Sequence, residues 1–156
     1  MCQRLLERLR EEHRTVERRL LEVEKQCEAM ERGEQPNLSV LRAAAFYLLG
    51  DLMREHSALE NQLADLLGNR LPGFSEEILD VTRDQEQSSR AIGRFVEALE
   101  QFESAKCDRV ALVHIARAMV GNERGHLIAQ EELFFPFAAR HIKGEECGVS
   151  AQADGH

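Results

Sequence analysis

The sequence predicts an all-α protein, an antiparallel up-down-up-down bundle of four helices. Two observations predict it. Strand signals are missing: aromatic residues make up 5% of the chain, and β-branched residues neither cluster nor alternate with polar ones. Apolar residues instead recur at three- and four-residue steps through four segments of about 28 to 34 residues, the spacing of one helix face. The connections are shorter than about ten residues, so consecutive helices must run back beside one another, and a period near 3.5 suits packing at about 20°.

The first segment carries Leu6, Leu9, His13, Val16, Leu20, Val23, Cys27 and Met30 on one stripe, and it stops at Gly33 before the breaker EQPN. The second starts near Ser39, read as its N-cap, and runs through Leu41, Ala45, Leu48, Leu52, His56, Leu59 and Leu63 to the turn GNRLPG at 68–73. The third begins after Ser75 with Ile78, Val81, Gln85, Ser88, Ile92, Phe95, Leu99 and Phe102. The fourth follows Asp108 with Leu112, Ile115, Met119, Asn122, His126, Ala129 and Leu133, and extends to about Ile142, with Pro136 a place for a bend. Residues 1–143 are thus read as one bundle domain, and residues 144–156, GEECGVSAQADGH, as a loose tail in which His156 has no role.

At 156 residues the chain can bury one core without staples. A formal charge of −8 argues against a nucleic-acid partner, which needs a basic face. No apolar run approaches the ~18 residues of a membrane span. The charged start MCQRLLERLREEH lacks the apolar centre of a signal peptide, so the expected location is cytoplasmic. Cys2, Cys27, Cys107 and Cys147 form no C-x-x-C pair and are expected to be reduced thiols, with Cys27 a small core residue.

The informative residues are the polar ones on the apolar stripes: His13, His56 with Glu60, Gln85 with Ser88, and Asn122 with His126. His13 lies 17 residues before Met30, His56 17 after Ser39, Gln85 18 before Glu103 and His126 17 after Arg109. At a rise of about 1.5 Å per residue, all four fall within one helical turn of a common layer. A single buried histidine is ordinarily a hydrogen-bonded core residue. Three histidines and an i, i+4 His–Glu pair in one layer would leave unmet polar groups at a cost of roughly 1–3 kcal/mol each, unless something satisfies them together. Neutral imidazole and carboxylate suit iron and related first-row divalent metals, and bundle cores are a place to hold them.

These residues resemble the hemerythrin-like family, the HHE cation-binding domain. The matching pieces are EEH at 11–13, HSALE at 56–60 and HLIAQEELFFP at 126–136, and the likeness spans roughly residues 5 to 142. The resemblance implies a carboxylate-bridged di-iron centre that binds dioxygen, senses oxygen, nitric oxide or redox state, or handles iron. Carried over by position, His13 and His56 hold one iron, Glu60 is a bridging carboxylate, and His126 belongs to the second iron.

Two departures follow. Where the family places one or two third-helix histidines, the chain reads RDQEQSSRAIG, with Gln85 at the main position and Ser89 at the other. Asp84 beside Gln85 is a substitute carboxylate. The second bridging carboxylate of the family lies four or five residues after the fourth-helix histidine, and here those positions are Gln130 and Glu131. Glu131 is taken as the ligand, with Gln130 and, one turn before His126, Glu123 as further candidates. The expectation is one well-made iron site and a weak, empty or asymmetric second one.

Three functions stay open: an iron protein that binds or senses a small ligand such as dioxygen or nitric oxide, which leads; a di-iron-type oxidase or peroxidase, or a relative of iron–sulfur-cluster repair proteins; and a metal-free structural or partner-binding bundle. Outside the layer, His114 is read as a boundary residue and His141 as too distant to join. Glu12 is a candidate partner for the outer nitrogen of His13, and Phe134, Phe135 and Phe137 with Phe46 and Tyr47 are read as core packing.

Overall fold

A computed structural model of the chain describes residues 2–70, 73 and 75–141, leaving aside the side chains of 2, 3, 53, 70 and 75–83. The described residues form four helical rods and no strand. The first rod is α1, Cys2–Glu31, and its predicted stripe is buried from Leu6 to Met30. Gly33 ends it with φ of +83°, a conformation open to glycine. The Gly33 and Glu34 amides then donate to Met30 and Ala29 carbonyls that the helix leaves free.

The second rod is continuous but not uniform: α2 (Leu38–Tyr47), a π-helical stretch (Leu48–His56) and α3 (Ser57–Arg70). Its N-cap is Asn37 and not Ser39, because the Asn37 Oδ1 accepts from the amides of Ser39 and Val40 at 3.1 and 3.4 Å. The π-helical stretch has a sequence cause. Leu48, Leu52, His56 and Glu60 are all buried, at three successive steps of four. In a straight α-helix of 3.6 residues per turn each such step overshoots by about 40°, and three would swing Glu60 off the face. The wider i→i+5 turns absorb the excess and keep all four on one side.

The third rod is α4 (Ser75–Glu103), with Ser88, Ile92, Phe95 and Leu99 buried and Phe102 half-buried. The predicted stripe positions Ile78 and Val81 lie outside the described side chains. The fourth rod is α5 (Arg109–Ala129), capped by Asp108, followed by a π-helical stretch (Gln130–Phe134) and α6 (Phe135–His141). Pro136 sits in the first turn of α6, directly after the π-helical stretch. The expected tail at 144–156 lies outside the described residues.

The buried face of the fourth rod is rotated from the predicted one. It runs through Leu112, Ala116, Met119, Val120, Glu123, Leu127, Gln130 and Phe134, while Asn122 is half-buried and Leu133 is exposed. Arg124, at the edge of that face, pairs with Glu17 and Glu24 of α1. Phe46 is also misplaced by the sequence reading: it is 81% exposed and packs no core.

The core falls into two apolar blocks. One holds Val16, Leu20, Val23, Leu52, Phe95, Met119 and Leu127 with their neighbours; the other holds Leu5, Leu6, Leu9, Leu59, Leu63, Phe134 and Phe135. Along α1 the boundary falls between Leu9 and Val16, where His13 stands. Along the second rod it falls between Leu52 and Leu59, where His56 stands. Among the described residues, no helix is long and apolar enough to cross a membrane.

Candidate metal centre

Six polar side chains are buried at that boundary: His13, His56, Glu60, Ser88, Glu123 and Gln130. His126 joins them with 9% of its side chain exposed. Four of the Nε2 and oxygen atoms follow one another in a row. His13 Nε2 lies 3.2 Å from His56 Nε2 and 2.7 Å from Gln130 Oε1. His56 Nε2 lies 2.6 Å from Glu60 Oε1, and His126 Nε2 approaches the same oxygen at 3.7 Å.

Each imidazole turns its other nitrogen outward to a carboxylate. His13 Nδ1 faces Glu131 at 3.2 Å, and His56 Nδ1 faces Glu12 at 2.6 Å. His126 Nδ1 faces Asp84 at 3.6 Å, too long for a hydrogen bond. An outward carboxylate that takes the Nδ1 proton leaves the inner Nε2 as a lone pair, which is how metal-binding histidines are oriented.

That arrangement creates a conflict at the centre. With Nδ1–H donated outward, the inner nitrogens of His13 and His56 are acceptors, and they face Glu60 Oε1 and Gln130 Oε1, which are acceptors too. Four lone-pair atoms in a row, each within 3.2 Å of the next, are relieved by a proton or a cation between them. A proton on His56 is one solution. Burial pulls His56 down, but the Glu12 and Glu60 carboxylates outweigh it and hold its pKa up at about 9. Burial and the neighbouring His56 push His13 down to about 4, so it stays neutral.

Burial would raise the Glu60 carboxyl, but contacts with His126 and His56 outweigh it and hold Glu60 well below the usual range. His126 is raised, since Glu60 overcomes its burial. Glu123 is raised by burial despite the Ser88 hydroxyl that donates to it at 2.5 Å.

A metal ion is the other solution. Bonds of ~2.0–2.2 Å put neighbouring donors roughly 3 Å apart, close to the 2.6 to 3.2 Å between successive atoms of this row. The Gln130 amide supports the fit: with Oε1 turned inward, its buried Nε2 has no partner. Among the described residues, no three His, Cys, Asp or Glu side chains already surround a metal-sized gap. His56 Nε2 and Glu60 Oε1 touch at 2.6 Å and would have to part by a few tenths of an ångström to admit an ion.

The sequence-predicted residues divide accordingly. His13, His56, Glu60 and Gln130 are brought together; His126 and Glu123 stand beside them; Gln85 donates its amide to Glu60 Oε2 at 3.0 Å. Glu131 and Asp84 lie outside this group, 49% and 41% exposed, facing His13 and His126. Ser88, not the exposed Ser89, faces inward. Glu12 reaches across to His56 and not to the adjacent His13. His114 and His141 are exposed and outside the layer. The Glu12–His56 and Ser88–Glu123 pairs were missed because both join different rods, which no spacing within one rod encodes.

A comparison of the chain with family models, curated proteins and solved structures finds no match.

Proposed function

We propose that this protein is a non-haem iron-binding bundle of hemerythrin-like kind that binds or senses a small ligand such as dioxygen or nitric oxide. One observation carries the reading: His56 and His126, from two rods, aim Nε2 at the buried Glu60 carboxylate, His13 from a third rod brings its Nε2 to that of His56, and all three Nδ1 atoms face outer carboxylates. Two imidazoles and one carboxylate are a donor set that suits ferrous iron and leaves positions open. Iron so held supplies redox chemistry and affinity for diatomic ligands.

The chain's own part is to orient and to exclude water. Glu12 and Glu131 hold the His56 and His13 rings in one tautomer. Phe135 lies over the His13 ring with centroids 5.1 Å apart, and Leu9 and Val16 close the layer above and below it. The accompanying fold is the antiparallel up-down-up-down bundle. It is supported by Glu31–Arg117, Glu24–Arg124 and His13–Gln130, in which rising numbers on the first rod meet falling numbers on the fourth.

The test is metal analysis of the purified protein, with absorption spectra after anaerobic ferrous loading and again after exposure to air or nitric oxide. Bound iron and a ligand-dependent charge-transfer band are expected. Protein that takes up no iron, or bound iron blind to both gases, refutes the proposal. A second reading, a metal-free bundle, draws on the 2.6 Å His56–Glu60 pair, which a proton on His56 satisfies. The same analysis separates the two.

A further inference from the structure

We infer that the bundle holds a single metal ion, bound by His13, His56, Glu60 and Gln130, and that two hydrogen bonds from α4 occupy the place a second ion would need. The inference rests on the iron-binding reading and limits it: a carboxylate-bridged pair is excluded by the chain's own side chains.

Glu60 decides the matter. A carboxylate bridging two ions gives one oxygen to each. Glu60 Oε1 is turned toward His56, while Oε2 accepts the Gln85 Nε2–H at 3.0 Å. The Gln85 donor therefore stands where the second ion would approach. Turned over, it would offer only a neutral amide oxygen, a poor exchange for imidazole.

Glu123 is the other buried carboxylate on that side, and it is also engaged. Its Oε1 takes the Ser88 hydroxyl at 2.5 Å and the Asn122 amide at 3.4 Å. Of the other carboxylates that follow on the fourth rod, Glu131 lies outside against His13 and Glu132 is exposed. Among the described residues, His126 Nε2 is then the one inward donor left for a second ion, 3.7 Å from Glu60 Oε1. One imidazole is too few. The space beside it, bounded by Glu60, Gln85, Ser88, Glu123 and His126, amounts to about 10 Å³, the room of one water.

On the first side four donors stand together: two imidazole nitrogens, one carboxylate oxygen and one amide oxygen, joined in succession by contacts of 2.6 to 3.2 Å. The α4 side chains thus do more than fail to ligate. They satisfy the carboxylates that a second ion would otherwise claim.

The experiment is anaerobic titration of the full chain with Fe(II), and separately with Co(II) as a spectroscopic probe, counting tightly held metal per chain after desalting. One equivalent is expected, lost in His13→Ala. Two equivalents in the unaltered protein overturn the inference and leave the iron-binding reading standing; none overturns both. The Gln85→His/Ser88→Ala double variant frees both carboxylates and adds an imidazole, and it is expected to take up a second equivalent. Ser88→Ala alone, a smaller change, is expected to show a weaker second uptake. If both variants keep native helical circular dichroism and both stay at one equivalent, these hydrogen bonds are not what excludes the ion, and the inference is overturned.

Discussion

The Nε2 atoms of His13 and His56 lie 3.2 Å apart although 43 positions separate the residues, and the two rings have opposite proton affinities. His13 is pushed down to about 4 and His56 is held up at about 9. The pair therefore shares one positive charge over a wide pH range, and stability should follow it. A raised pKa on His56 gives stabilisation that is full below its ordinary value of 6.5 and is lost as pH rises through about 9. A lowered pKa on His13 works the other way: the unfolded chain takes up that proton first, so stability falls as pH drops from 6.5 toward 4. Glu60, also lowered, adds to the acid loss.

The expected curve for metal-free protein is a dome centred near neutral pH. At about 1.4 kcal/mol per pH unit of displaced pKa, the loss on either flank reaches roughly 2–3 kcal/mol. Urea unfolding in chelator from pH 5 to 9 measures it. A flat profile would contradict the pairing.

Leucine substitutions at the same two positions should diverge in metal-free protein. His13 is neutral and lies between Leu9, Val16 and Phe135, so His13→Leu should leave the melting temperature unchanged or raised. His56 compensates the charge of Glu60, which is 1% exposed. His56→Leu breaks that pair, leaving the carboxylate to His126 and the Gln85 amide, and should cost about 3 kcal/mol, the lower end of the usual penalty for breaking a buried ion pair. Thermal melts in chelator compare them. Equal effects would mean that His56 carries no charge in the fold.

Much of this geometry was legible in the chain. The stripe of α1 is buried as predicted from Leu6 to Met30, and the polar layer falls between two apolar blocks because every rod interrupts its leucines at the same height. The steps of four from Leu48 to Glu60 also carried a signal that a plain α-helix could not satisfy. What stayed hidden depends on rotation. The face of the fourth rod turns toward Ala116, Val120 and Glu123, so Gln130 enters the core at 2% exposure and Glu131 remains outside. Spacing locates a stripe to within a residue, and one residue is about 100° of rotation in a helix of 3.6 residues per turn.

The Ser88–Glu123 pair gives a third expectation. Both groups are buried, and the 2.5 Å hydroxyl contact is the closest one that Glu123 makes. Ser88→Ala removes the donor and adds no bulk, leaving a buried carboxyl short of a partner. Metal-free Ser88→Ala should lose roughly 1–3 kcal/mol by urea unfolding, and Ser88→Ala/Glu123→Gln should recover part of that by removing the ionisable group. No loss in the single variant would show that water replaces the hydroxyl without penalty.

The outer carboxylates give the last one, and here the distances set an order. Glu12 approaches His56 Nδ1 at 2.6 Å and is 25% exposed, whereas Glu131 approaches His13 Nδ1 at 3.2 Å and is 49% exposed. Each keeps the Nδ1–H tautomer of its ring, so each governs how readily the inner Nε2 serves as a ligand. The shorter and drier contact is less screened by solvent and holds its ring more firmly. Outer partners of metal-bound histidines typically contribute about 10–100-fold in affinity, and Glu12→Gln should fall toward the upper end of that range, Glu131→Gln toward the lower. Both replacements keep an oxygen that can accept the Nδ1 proton, so neither should abolish binding. Competition titrations with a chromophoric chelator measure the two constants. If Glu131→Gln proves the more damaging, then Glu131 has a part at the ion itself and not only behind His13.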